Sequence, residues 1–159
     1  MTIYLVRHAR AGNRSQWKQD DWLRPLSAAG DVQARGLLEQ LRKAKFDRIL
    51  SSPYVRCLET VAPIAGARRL PIAPEDSLGE GGDLDTVFAL LRKHVQTGAL
   101  LCSHGDVIPA VLSALAARGV DLGRNPRCPK GSTWVLEAER GSTEITSVRY
   151  VAPPPEPGE

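Results

Sequence analysis

Apolar residues in this chain fall into two kinds of run, and the alternation between them predicts its elements. Short, nearly continuous runs occupy 2–7 (Thr-Ile-Tyr-Leu-Val-Arg), Arg48–Ser51 and Ala99–Ser103, as expected of buried strands. Between them the apolar positions recur with a helical period. Val32, Leu37, Leu38 and Leu41 form a stripe that opens at a candidate N-cap, Ser27, and runs to near Lys45. Pro53 suits the first turn of a second helix, continued by Val55, Leu58, Thr60, Val61 and Ile64 to about Gly66. Asp83 caps a third, in which Leu84, Val87, Phe88 and Leu91 keep one face apolar. A fourth spans Asp106 to Arg118. Leu70–Ala73, flanked by prolines, reads as a short edge strand, and Thr133–Glu137 and Glu144–Val151 read as closing strands. The polar stretches left over are loops at 9–24, 74–83 and 119–131, and a proline-rich tail at 152–159 expected to be extended and poorly ordered.

Strands alternating with helices imply an α/β protein: a three-layer α/β/α sandwich with a mostly parallel central sheet. The 159 residues are too few to divide into two good cores, so residues 1–151 are expected to form one domain. A hydrophobic share of 42% and a charged share of 25% are ordinary for a soluble protein. The net charge of +3 gives no broad basic footprint for nucleic acid, yet it tolerates an anionic substrate. Cys57, Cys102 and Cys128 form no CxxC pair and are odd in number, which points to a reducing compartment, the cytoplasm. The start of the chain lacks a basic region before its apolar run, and no run is long enough for a membrane span.

The chemistry concentrates where strands end. In open α/β sheets ligands gather outside the carboxyl ends of the strands. Arg7-His8 ends the first strand, Ser51-Ser52-Pro53-Tyr54-Val55-Arg56 the second, and Ser103-His104-Gly105-Asp106 the fourth. If these strands are neighbours, two histidines and two arginines meet at one rim. Guanidiniums offer forked donors matched to phosphate oxygens, and a neutral imidazole attacks phosphorus through one nitrogen while the other is held by an acceptor.

Leu5-Val6-Arg7-His8, Ser51-Ser52-Pro53-Tyr54-Val55-Arg56-Cys57-Leu58-Glu59-Thr60 and Cys102-Ser103-His104-Gly105-Asp106, in that order, resemble the histidine phosphatase superfamily, whose fold is phosphoglycerate mutase-like. The short chain and the Arg-His-Ala-x-Ala-Gly opening resemble its bacterial phosphohistidine phosphatase branch, and are also similar to the phosphatase domain fused to some Nudix hydrolases. The resemblance implies that His8 is the nucleophile that becomes phosphohistidine, and that Arg7, Arg56 and His104 hold the phosphate. It also implies that Glu80, in Leu78-Gly79-Glu80-Gly81, is the proton donor. The residue after His8 is Ala9 where many members have Gly, and Arg10 stands where mutase-like members carry Glu. The Asn common six residues after the nucleophile is Arg14 here, with Asn13 beside it, so both are candidates to complete the phosphate pocket.

The expected substrate is therefore a phosphorylated protein or a small phosphorylated molecule, hydrolysed without cofactor or metal. Two readings stand beside it: a mutase that returns the phosphoryl group to substrate, and a non-catalytic module that binds a phosphorylated ligand. Other phosphate chemistries lack their motifs. Cys102 is followed six positions on by Ile108 rather than the Arg of a cysteine phosphatase, and Lys130-Gly131-Ser132 inverts the P-loop order. Cys102 and His104 have no companions at zinc-site spacing. The remaining cations Arg10, Arg14, Lys18 and Arg24, and the basic loop 124–130, are expected on solvated surface, the ordinary place for such residues.

Overall fold

The computed structural model describes residues 1–155. Six strands form one sheet in the order β3-β2-β4-β1-β5-β6. They are β1 (Thr2–Arg7), β2 (Ile49–Ser51), β3 (Ile72–Pro74), β4 (Ala99–Ser103), β5 (Thr133–Ala138) and β6 (Ile145–Val151). β3, β2, β4 and β1 run parallel, β5 pairs antiparallel with β1, and β6 antiparallel with β5. The helices are α1 (Ala28–Gln40), α2 (Val55–Arg68), α3 (Leu84–His94) and α4 (Val107–Ala117). The expected mostly parallel α/β sandwich is present.

Side-chain alternation along the central strands divides the core between two faces. Ile3 and Leu5 of β1 with Ala99 and Leu101 of β4 point to one face, where Val87, Phe88 and Leu91 of α3 and Val111 and Leu115 of α4 cover them. Val6, Leu100 and Cys102 point to the other, against Leu37 of α1 and Cys57, Val61 and Ile64 of α2. A strand covered on both faces has no reason to alternate with polar residues, which is why β4 reads as an unbroken apolar run.

Element boundaries depart from the sequence expectation in three places. α1 stops at Gln40, short of Lys45: residues 41–44 tighten into a turn in which Ala44 N–H donates to the Leu41 carbonyl at 3.0 Å, and the Arg68 guanidinium donates to the Leu41 and Ala44 carbonyls at 2.9 and 2.7 Å. Pro53 precedes α2 rather than opening it, and Tyr54 is the N-cap. The tail expected to be loose is packed over 152–155. Gln40 donates to the Ala152 carbonyl at 2.9 Å, and Pro154 lies buried against Gly36, where a Cβ would come within 2.6 Å of its ring. The rest of that expectation, for 156–159, lies outside the described residues. No helix among those described is long and apolar enough to cross a membrane.

Candidate active site

Strand register brings the three motifs to one edge. Arg7 pairs with Ser103 across β1 and β4, and Ser51 with Cys102 across β2 and β4. The ladder continues one step past the strands: His8 N–H donates to the Ser103 carbonyl at 3.1 Å, and Ser52 N–H to the Cys102 carbonyl at 3.0 Å. His8, Ser52 and His104 thus leave the sheet side by side, and the His8 and His104 rings sit 5.2 Å apart, edge to face.

His8 is 5% exposed, and its Nδ1 lies 2.8 Å from the carbonyl of Ala9. A carbonyl only accepts, so Nδ1 carries the proton and Nε2 keeps its lone pair. Burial above all, and then the charges of His104, Arg56 and Arg7, lower the pKa of His8 to about 3, although the Ala9 bond opposes the shift. The ring is therefore neutral near pH 7.

Arg56 lies in the first turn of α2 and is 1% exposed. It donates to the Asp21 carbonyl and Asp21 Oδ2, both at 3.0 Å, and to Glu80 Oε1 at 2.7 Å. Thr60, one turn on, donates to the Arg56 carbonyl at 2.6 Å and accepts from the Ala9 N–H at 2.9 Å, linking α2 to the segment after His8. Arg7 donates to the Cys128 carbonyl at 2.6 Å, and its guanidinium lies flat on Gly105. Any Cβ at 105 would stand 2.6 Å from Arg7 Cζ, so the turn after His104 admits the arginine only because residue 105 is glycine.

His104 is held from behind. Its Nε2 is 2.8 Å from Ser52 Oγ, which also accepts from the Tyr54 N–H at 3.2 Å. Among the contacts of this hydroxyl Nε2 is the one acceptor for its proton, and that arrangement puts the ring proton on Nδ1. Nδ1 stands 3.7 Å from Glu80 Oε1 and has no hydrogen-bond partner. Five buried side-chain polar atoms among the described residues lack a partner, and three of them, Arg7 Nε, Arg56 Nε and His104 Nδ1, belong to this one cluster. Such concentration marks a place built for an external acceptor rather than a packing accident.

The cluster opens on a cavity of about 790 Å3 reached by Arg7, His8, Arg56 and Glu80, and at its rim by Asn13 and Arg14. All seven residues singled out in the sequence come together, but not equally. Arg14 is exposed and reaches Glu80 and Asp21 only at 3.4 Å. The Asn13 carboxamide oxygen accepts from the Ser15 N–H at 2.9 Å and its hydroxyl at 2.7 Å, which holds the carboxamide in the loop and leaves its NH2 as the group able to donate to a phosphate.

Two residues go against expectation. Arg24, expected on solvated surface, is 6% exposed and donates to Asp21 Oδ1 at 3.0 Å and the Gly12 carbonyl at 2.6 Å. Asp21, not singled out at all, ties Arg24 to Arg56. Partial burial works to raise its carboxyl, but the hydrogen bonds from Arg24 and Arg56 prevail and hold it below the usual carboxylate range. The only signal in the sequence was an acid within a basic loop. Among the described residues no three His, Cys, Asp or Glu side chains form a group able to hold a metal ion.

Sheet, rim and cavity together define an α/β protein of phosphoglycerate mutase-like fold with a cation-lined pocket at its strand ends. Residues 3–87 match the histidine phosphatase superfamily (branch 1), and the chain belongs to that family. It is 31% identical over 160 residues to the 8-oxo-(d)GTP phosphatase of Mycolicibacterium smegmatis, covering 98% of this chain and 49% of that protein. The chain thus spans about half the length of that relative. It is 26% identical over 122 residues to the phosphohistidine phosphatase SixA of Escherichia coli, covering 72% of this chain and 74% of that protein. The fold is similar to that of the protein histidine phosphatase SixA complexed with tungstate, with a TM-score of 0.74 and 19% identity over 97% of this chain and 96% of that one.

Proposed function

We propose that the protein is a phosphatase that takes a phosphoryl group onto His8 Nε2 and releases it to water. The observation that carries this reading is the bond from His8 Nδ1 to the Ala9 carbonyl within a buried, cation-lined pocket. It fixes the tautomer in which Nε2 is the free nucleophilic nitrogen, and burial keeps that nitrogen unprotonated.

In the first step Nε2 attacks phosphorus, the N–P bond forms, and the bond to the leaving oxygen or nitrogen breaks. Arg7, Arg56 and His104 Nδ1 donate to the non-bridging oxygens, where charge is spread in the transition state. Glu80, in its acid form as the step begins, gives its proton to the leaving atom. In the second step Glu80 accepts a proton from water as the water oxygen attacks phosphorus, and His8 Nε2 leaves. The substrate is phosphohistidine on a protein or a small phosphorylated molecule. The likeness to the phosphohistidine phosphatase SixA supports the first, and the likeness to the 8-oxo-(d)GTP phosphatase supports the second.

The test is incubation with a labelled phosphodonor, quenching, and a search for acid-labile label on His8, alongside turnover of phosphohistidine peptide, nucleotides and sugar phosphates. Label on His8 that decays with release of inorganic phosphate is the expected result. Stoichiometric binding without label would make the protein a phospholigand-binding module, and label returned to a substrate hydroxyl would make it a mutase.

A further inference from the structure

Glu80 sits on a segment with little stiffness of its own. Of the five residues 78–82, three are glycine, and Glu80 itself is exposed. Yet its carboxyl group stands against Arg56 and His104, which are held by α2 and the end of β4. Proton transfer to a leaving atom needs that geometry kept, so something outside the segment has to hold it.

The Gly82 N–H donates to the Gly79 carbonyl at 3.0 Å, closing a turn with Glu80 and Gly81 at its two central positions. Gly81 has φ +72°, the left-handed value that the third residue of a type II turn requires. Type I and type II turns differ by a half-rotation of the central peptide, and with no Cβ at 81 both are open to this segment. The N–H of that peptide lies outside the turn's own hydrogen bond, and Asp106 takes it. Asp106 Oδ2 accepts from the Gly81 N–H at 2.7 Å, while Oδ1 accepts from the Val107 N–H at 2.8 Å as the N-cap of α4. Rotating the peptide would turn the Glu80 carbonyl oxygen onto a carboxylate, so Asp106 selects the type II form. On the other side of Glu80, the buried Ser103 hydroxyl donates to the Leu78 carbonyl at 2.6 Å. The run Ser103-His104-Gly105-Asp106 thus grips the segment both before and after Glu80.

From this placement we infer that Asp106 is a positioning residue: its carboxylate fixes the Glu80–Gly81 peptide and thereby holds the Glu80 carboxyl group where it serves the leaving atom. The inference rests on the phosphatase reading and deepens it. Asp106 does not act on the substrate itself, since each of its oxygens is engaged by a backbone N–H. It refers the turn to the segment that also carries His104, so the acid and the phosphate-binding imidazole keep their spacing through one short stretch of chain.

The test is a double-mutant cycle of Asp106→Ser and Glu80→Gln, with kcat/KM for ethyl phosphate and for p-nitrophenyl phosphate measured in all four proteins. Serine keeps a cap for α4 but gives up the second oxygen. In Asp106→Ser kcat/KM should fall about tenfold for ethyl phosphate and less than about twofold for p-nitrophenyl phosphate, the scale of one lost hydrogen bond to a charged group. In the Glu80→Gln background the same substitution should change neither. Amide exchange of Gly81 should be about fivefold faster in Asp106→Ser than in the wild type, with the thermal melt little changed. Equal slowing of both esters, or a Gly81 amide that exchanges alike in the two proteins, overturns the positioning role and leaves Asp106 a helix cap. A loss that persists in the Glu80→Gln background also overturns it, in favour of Asp106 as the acid. Both of these leave the phosphatase reading standing. No turnover of either ester by the wild type sinks that reading, and the positioning role with it, even if Asp106 protects Gly81.

Discussion

Glu80 Oε1 lies 2.7 Å from Nη2 of Arg56, so the carboxyl group proposed to act as acid and then base holds the guanidinium proposed to bind the phosphate. An arriving phosphate competes for the same donor, and binding the substrate releases the Glu80 carboxyl group beside the leaving atom. Glu80→Gln keeps the size and a hydrogen bond but has no proton to give. It should slow alkyl phosphates by about 100-fold or more while slowing p-nitrophenyl phosphate by less than about tenfold, because a good leaving group needs no acid. Rates for a series of leaving groups check this, and equal slowing across the series would argue against Glu80 as the acid.

The second prediction concerns the protonation of His8. With a folded pKa of about 3 and an ordinary value of 6.5, the imidazole stays neutral in the folded protein where it is charged in the unfolded chain. The unfolded state binds the extra proton, so this residue's contribution to stability is intact above pH 6.5 and is eroded as pH falls from there toward 3. Between pH 7 and 5 the loss should be about 2 kcal/mol, and His8→Asn should be spared that share of it. Denaturant unfolding of both proteins at the two pH values measures the difference. Nitrogen-15 spectra of the ring at pH 5 should show a neutral imidazole protonated on Nδ1, and a midpoint near 6.5 would overturn the burial argument.

Ser52 acts on His104 rather than on substrate. Ser52→Ala removes the group that sets the ring proton and should lower kcat by about 10- to 100-fold, the scale of one misdirected transition-state donor. KM for a phosphate ester should change little, and Ser52→Thr should restore most of the loss. A parallel fall in stability and in kcat/KM through KM alone would mean that Ser52 is only packing.

Gly105→Ala tests the packing of Arg7 against the turn. The added Cβ meets the arginine head at 2.6 Å, so the side chain moves and the fold does not break. Weaker phosphate binding, by about tenfold, is expected with less than about 1 kcal/mol lost in stability. Inhibition by inorganic phosphate and a thermal melt read the two effects separately.

The sheet and its helices were legible because both kept a clean period: the apolar runs of β1 and β4 and the stripe of α3 have no other good interpretation. The ends were less so. α1 gives way early to a turn whose Leu41 and Ala44 carbonyls accept from Arg68, and no local pattern signals a partner so far downstream. The rim was readable because strand ends carry the motifs in order. Asp21 and Gln33 were not readable, since their value lies in what they join: Arg24 to Arg56 for one, Arg10 to Lys130 for the other.

Thr60 gives the site a mechanical property. Its hydroxyl accepts from Ala9 and donates to Arg56, bridging the His8 segment and α2 with one side chain. A displacement of α2 against the sheet would, through this tether, carry the segment after His8 along with Arg56, so the spacing across the pocket would change less than its position. Replacing the hydroxyl by the methyl of Val would leave the shape but cut the tether, so that the His8 segment and α2 would be positioned independently.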